Sequence, residues 1–204
     1  EPPAATSRVR LQLLTQVVEA QWNLAQHDEA MRTLDRTLGL AAAQLNSEPS
    51  DVVALLTLRG QWRMRLQDFK PADTDLRHAL GMALSVYPLQ AADAERALAT
   101  SLLAQERFDE ALPFAVAQWQ HTVQFLGANH PKTGSALIAL GNARCLAGDL
   151  PGCREAIEQG TALIRTAYGE DHPAYGSALL AQAALLRYEN SQWNWDDLAA
   201  LTAA

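Results

Sequence analysis

The chain has 204 residues, 49% of them hydrophobic and 19% charged, which is enough apolar material for a substantial globular core. Sixteen Lys and Arg against 23 Asp and Glu leave a formal charge of −7 with no basic run, which excludes nucleic acid as a default partner because phosphate binding needs clustered cations. No apolar run approaches the roughly 18 residues of a membrane span and no basic-then-apolar leader opens the chain, so direct membrane insertion is not expected.

Residues 1–6 of the opening EPPAATS read as a linker remnant from a larger protein. From there proline supplies the punctuation, because it lacks an N–H and is tolerated only in the first turn of a helix. Pro49, Pro71, Pro88, Pro113, Pro131, Pro151 and Pro173 follow one another at intervals that each hold one helix and one turn. Between them the apolar residues keep helical spacing, as in Leu11, Leu14, Val17, Val18 and Leu24, and no segment alternates with the period of a strand. The predicted elements are helices at 7–25 and 28–46, 50–66 and 71–86, 88–105 and 109–126, 132–147 and 151–167, then 173–189. They group into five pairs, 7–46, 49–86, 88–126, 131–167 and 173–190, with a closing helix in 191–204 signalled by Asn194 as cap and Asp197 three residues on.

Two stretches are near copies. FLGANHPKTGSALIALG ends at Gly141 and AYGEDHPAYGSALLAQA ends at Ala183, with His130 and His172 at the same place in each. A period of about 20 to 50 residues is the signature of stacked repeats, in which each helix pair buries its apolar face on its neighbours, and the step from His130 to His172 falls inside that range. Small residues recur in register: Ala30, Ala72, Ala111 and Cys153 open the second helices, and Val18, Gly60, Ala99, Gly141 and Ala183 face them from the first. A mid-helix glycine costs about 1 kcal/mol against alanine, so Gly60 and Gly141 mark close helix contact.

Gly141, then Gly148-Asp149-Leu150, then a small residue opening the second helix resembles the tetratricopeptide repeat. The 42-residue period and the LGANHP and YGEDHP linkers resemble its kinesin-light-chain variety. The resemblance implies an all-α, right-handed superhelical solenoid of antiparallel helix pairs, about ten helices in all. It also implies a non-enzymatic scaffold that holds a protein or peptide in a concave groove. Such arrays also occur in bacterial signalling proteins beside Ser/Thr kinase or winged-helix domains. The alternative is therefore a sensory or regulatory domain of a membrane-anchored protein, dimeric or not, in a periplasmic ectodomain rather than the cytoplasm.

On this register the groove is lined by Glu19, Trp22, Asn23, Gln61, Met64, Arg65, Arg96, Thr100, Asn142, Arg187 and Tyr188. Trp22, Met64, Arg65 and Arg96 are anchor types at interfaces. Arg65 and Arg96 point to an acidic or carboxylate-bearing partner, with Arg154 on the outer face away from it.

Other motifs carry no chemistry on this reading. The two His-Pro pairs end one helix and start the next rather than bind metal, since sites one repeat apart lie about 10 Å from each other and lack ligand partners at suitable spacing. Asp171, His172 and Ser177 include the residue types of a catalytic triad, but the first copy has Asn129 in place of the acid. The DTD at Asp73–Asp75 lacks the Gly and distal Glu of a calcium loop, and no phosphate-binding glycine loop is present, so no cofactor and no metal is expected. Cys145 and Cys153 flank the turn at Gly148. They are either small core hydrophobes or a disulfide, which would need Cα atoms within about 7 Å where packed helices sit about 8–10 Å apart.

Overall fold

The computed structural model describes the backbone of residues 4–43 and 48–202, and the side chains of residues 9–43 and 48–189. Among the described residues there are nine α-helices and no strand. They are α1 (Ala4–Asn23), α2 (His27–Ala43), α3 (Pro49–Arg65), α4 (Phe69–Ala83), α5 (Pro88–Ala104), α6 (Phe108–Leu126), α7 (Pro131–Leu146), α8 (Leu150–Tyr168) and α9 (Pro173–Thr202).

The two ends differ from expectation. Ala4 to Thr6, read as linker, already belong to α1, and residues 1–3 lie outside the described residues. The separate closing helix is not formed: α9 continues without a break to Thr202, so the fifth first-helix has no second helix beside it among the described residues. The expected cap at Asn194 lies inside α9 because residues 190–202 hold no Gly or Pro to interrupt helical propensity.

The turns repeat with the period. The residue that reverses the chain between the helices of a pair is left-handed at Ala25, Gln67, Glu106 and Gly148, and only the last is the glycine that geometry favours. Between pairs, Gly127 and Gly169 end α6 and α8 with φ of 92° and 81°. His130 and His172 then cap α7 and α9, each accepting at Nδ1 a hydrogen bond of 3.1 Å, from the N–H of Lys132 and of Ala174. The duplicated His-Pro is thus a helix start signal.

The chain divides into two compact units, Glu1–Ser101 and Leu102–Ala204. In the first, α1 packs on α2, α2 on α3 and α3 on α4. Val18, Ala30, Leu34, Leu55 and Trp62 form one part of the core, and Val53, Leu56, Ala79 and Ala83 meet Ala91 and Ala94 of α5 in another. The α3–α4 approach is set at Gly60, where a Cβ would stand 2.6 Å from Leu76 Cγ. Around that contact runs a polar network absent from the sequence reading. Buried Asp75 of α4 accepts from Arg59 Nε at 2.8 Å, Arg59 Nη2 at 2.6 Å and Arg63 Nη1 at 2.7 Å, while Arg59 Nη1 reaches Asp35 of α2 at 2.7 Å. These bonds, those to Asp75 foremost, raise the Arg59 pKa against the opposing effect of burial. Asp73, the other acid of the DTD, accepts from Ser101 Oγ at 2.6 Å, so both carboxylates are structural.

In the second unit α7 packs on α6 and α8, and α9 packs on α7 and α8. The α7–α8 seam admits no side chain at three glycines. A Cβ on Gly134 would lie 2.9 Å from Gly160 O, one on Gly160 would lie 2.6 Å from Gly134 O, and one on Gly141 would lie 2.6 Å from Ile157 Cγ1. Cys145 and Cys153 are bonded to each other, with Cα atoms 5.1 Å apart. The general helix spacing overestimates this distance because both residues sit beside the turn at Gly148. Arg154, expected on the outer face, is exposed on α8 and there ties α8 to α9 through Glu189 at 2.6 Å.

Two measurements check this packing by denaturant melts at low protein concentration. Gly141→Ala is expected to cost about 1–3 kcal/mol by overpacking against Ile157, whereas Gly176→Ala, with nothing within 4 Å, is expected to stabilise by about 0.5–1 kcal/mol through helix propensity. Asp75→Ala strands two arginines and is expected to cost about 3 kcal/mol or more, against less than about 0.5 kcal/mol for Lys132→Ala at an exposed position at the start of α7.

Candidate functional site

The first unit carries a cavity of about 760 Å³ whose walls come from α1, α3 and α5. Helical spacing brings each wall together: Leu11, Gln12, Thr15, Gln16 and Glu19 share a side of α1, Asp51, Ala54, Leu55, Thr57, Leu58 and Gln61 a side of α3, and Gln90, Asp93 and Arg96 a side of α5. Leu11, Leu55, Leu58 and Ala54 supply its apolar surface. Thr15 and Thr57 turn their hydroxyls onto their own helix, to Leu11 O at 3.0 Å and Val53 O at 2.9 Å, which leaves oxygen lone pairs as the acceptors they can offer.

The charge of the cavity is lopsided. Glu19, Asp51 and Asp93 face it against one guanidinium, Arg96, which lies 4.0 Å from Asp93 in an exposed and loose ion pair. Gln90 donates its Nε2 to Ser50 O at 3.1 Å and leaves its buried Oε1 without a hydrogen-bond partner. Every polar feature of the wall other than Arg96 and the amide groups therefore offers acceptors.

Of the residues expected in the groove, Glu19, Gln61 and Arg96 line this cavity. Trp22 does not: it stacks on buried Trp62 with ring centroids 4.3 Å apart and an interplanar angle of 12°, and on His27 at 4.4 Å. It belongs to the seam between the first two helix pairs. Asn23 is exposed at the end of α1, Met64 and exposed Arg65 lie in the last turn of α3, and Thr100 is exposed on α5 with its hydroxyl on Arg96 O at 2.8 Å. None of these four lines the cavity. Exposed Asn142 on α7, and exposed Arg187 and half-buried Tyr188 on α9, belong to the second unit.

The pair of arginines behind the expected preference for an acidic partner is not brought together in this cavity. Of Arg65 and Arg96, only Arg96 reaches it, and three carboxylates share it. Asp51 and Gln90 escaped the sequence reading although a signal existed. Each is the third residue of its helix, so they stand at matching places in α3 and α5, nearer the helix starts than the residues chosen.

Elsewhere the residues are committed to structure. His172 Nδ1 takes the Ala174 N–H and Ser177 Oγ bonds Pro173 O at 3.2 Å, so the triad residue types are not arranged as one. Among the described residues no group of three or more His, Cys, Asp or Glu is disposed to hold a metal ion, and no helix is long and apolar enough to cross a membrane. The second unit has a smaller cavity of about 410 Å³ between Trp119, Val123, Leu137 and Leu163, with no charged residue in its lining.

No protein-family model matches the sequence, and neither does any curated protein. Solved structures do match in fold. The kinesin-light-chain, nearly identical TPR-like repeats of Podosopora anserina superpose with a TM-score of 0.76 at 17% identity, over 98% of this chain and 94% of that one. BtubC (BKLC) of P. vanneervenii gives 0.74 at 13% identity, over 98% and 85%. A signal transduction ATPase of Pyrococcus horikoshii with a tetratricopeptide repeat sensor gives 0.70 at 12% identity, over 95% of this chain and 31% of its own length. Helix order, the recurring turns and these likenesses together make the fold an all-α array of the tetratricopeptide type.

Proposed function

We propose that the chain is a non-catalytic interaction scaffold that holds a segment of a partner protein in the α1–α3–α5 cavity, and that this segment is basic or rich in N–H donors. The observation that carries the reading is the acidic wall: Glu19, Asp51 and Asp93 beside the apolar surface of Leu11, Ala54, Leu55 and Leu58. Lysine or arginine side chains, with long apolar stems and charged heads, match both parts of such a surface. Oppositely charged rims also speed encounter.

The test is selection from a randomised peptide library against the purified chain, followed by calorimetric titration of the selected peptides. Lys- and Arg-containing peptides are expected. Glu19→Lys and Asp93→Lys are each expected to weaken them about tenfold, or about 1.4 kcal/mol. Arg96→Glu is expected to tighten binding and Arg65→Glu to leave it unchanged, with affinity falling as salt rises. Acidic selections, or loss of binding in Arg96→Glu, would defeat the proposal.

A second reading, a sensory or regulatory domain of a membrane-anchored signalling protein working outside the reducing cytosol, is favoured by the Cys145–Cys153 bond. Such bonds persist in oxidising compartments and are rare elsewhere. The Pyrococcus protein, whose tetratricopeptide repeats are described as a sensor, supplies a precedent for the role. Thiol alkylation of the chain produced in the periplasm and in the cytosol of one bacterial host checks it. The bond is expected only in the first, and the Cys145→Ala/Cys153→Ala variant is expected to lose about 2–3 kcal/mol of stability. Equal stability with and without the bond would remove the argument for an oxidising compartment.

A further inference from the structure

Helix α9 is apolar on two opposite sides. Ala178, Ala181 and Leu185 are buried in the second unit, while Leu179 and Leu180, the latter 72% exposed, face outward beside Gly176, Ala183 and Arg187. A helix that is hydrophobic all round is ordinarily covered all round.

The repeat says what the outward side is. Shifted back by one repeat, the step that takes His172 to His130, Gly176, Leu180, Ala183 and Arg187 become Gly134, Ile138, Gly141 and Cys145. These are the α7 residues that meet α8: Gly134 and Ile138 against Gly160, Gly141 against Ile157, and Cys145 bonded to Cys153. On α9 the same pattern stands open, and Gly176 has nothing within 4 Å of a built Cβ where Gly134 has Gly160 O at 2.9 Å.

The matching half of the seam has a definite spacing. On α8 it is Cys153, Ile157, Gly160 and Ile164, steps of four, three and four. The same steps occur at the start of the chain in Leu13, Val17, Ala20 and Leu24, with two aliphatic residues, a small one and a third aliphatic. All four are exposed, Leu13 at 57% and Leu24 at 70%, and they lie on a different side of α1 from buried Val18 and from the cavity wall. Contiguous exposed apolar surface of this kind marks an interface.

We propose that α1 and Leu24 of one copy seat on α9 of a second copy in the place that α8 takes on α7, so that the chain associates head to tail. Val17 then rests on Ala183 as Ile157 rests on Gly141, and Ala20 meets Gly176 and Leu180 as Gly160 meets Gly134 and Ile138. Leu13 lies under the aliphatic stem of Arg187. The two faces are different surfaces, so the contact is heterologous and adds copies in sequence unless a ring closes.

Sedimentation velocity and light scattering of the full chain over a concentration series test this. The mass of the wild-type chain is expected to rise with concentration. Val17→Glu and Ala183→Glu, both at exposed positions, are each expected to be monomeric with unchanged circular dichroism and melting. Mixed in equal amounts, they are expected to give a discrete heterodimer, because one supplies an intact α9 and the other an intact α1, and the remaining faces are blocked. A wild-type chain monomeric at every concentration would overturn the proposal, as would association that survives either substitution. So would a symmetric dimer that mixing the variants fails to restore. Peptide binding in the cavity is read separately by calorimetry, so either idea can fail alone.

Discussion

Close approach between the two helices of a pair is the constraint on which the structure rests. At Gly60 and at Gly141 the partner helix stands where a side chain would begin, with Leu76 and Ile157 pressed against bare backbone. Backbone contact of that kind has a fixed register: slipping one helix along the other drives a Cβ into the glycine's place. The fixed register then brings Arg59 and Arg63 opposite Asp75, and Cys145 opposite Cys153. Burial of Asp75 is tolerated because two guanidiniums meet it there, and breaking that arrangement would leave a charge with neither water nor partner. The first helices, held in this way, turn their other sides to form the α1–α3–α5 cavity.

The cavity is a by-product of periodicity as much as of chemistry. Positions that recur once per repeat on first helices come to lie side by side, so a wall can be written a few residues at a time along widely separated stretches of chain. That arrangement explains why its character emerges only from the sum. Glu19, Asp51 and Asp93 are unremarkable surface acids taken singly, and Arg96 is an ordinary exposed cation. Together they make an acceptor surface with one weakly held positive charge.

Much of the fold was legible in the sequence because helical arrays are written locally. Proline positions, the spacing of apolar residues and the echo of His130-Pro131 in His172-Pro173 placed eight helices to within a few residues. The failures have local causes too. The end of α9 was misread because Asn194 and Asp197 resemble a start signal, yet nothing before them breaks the helix already running. Side-chain fate was less legible. Trp22 has the same residue type and helical context whether it faces a ligand or stacks on Trp62, and the choice is made by a residue two helices further along the chain. The pairing of Arg59 with Asp75 depends likewise on where two helices meet, which their periodicity alone leaves open. The lone Gly at 148 among Ala25, Gln67 and Glu106 shows a further limit, since three of the four turns take the left-handed conformation without its usual residue.

The Cys145–Cys153 bond has a consequence in time. Its sulfurs are eight residues apart along the chain, so they meet by searching a short loop rather than a whole polypeptide. In a chain emerging from its N-terminus, the α7–α8 hairpin can be locked before α9 has emerged to pack on it. Within these 204 residues no third cysteine competes for the pairing. The last helix is then laid on a surface already finished, and a chain interrupted at that stage keeps its newest hairpin while it waits for the remainder.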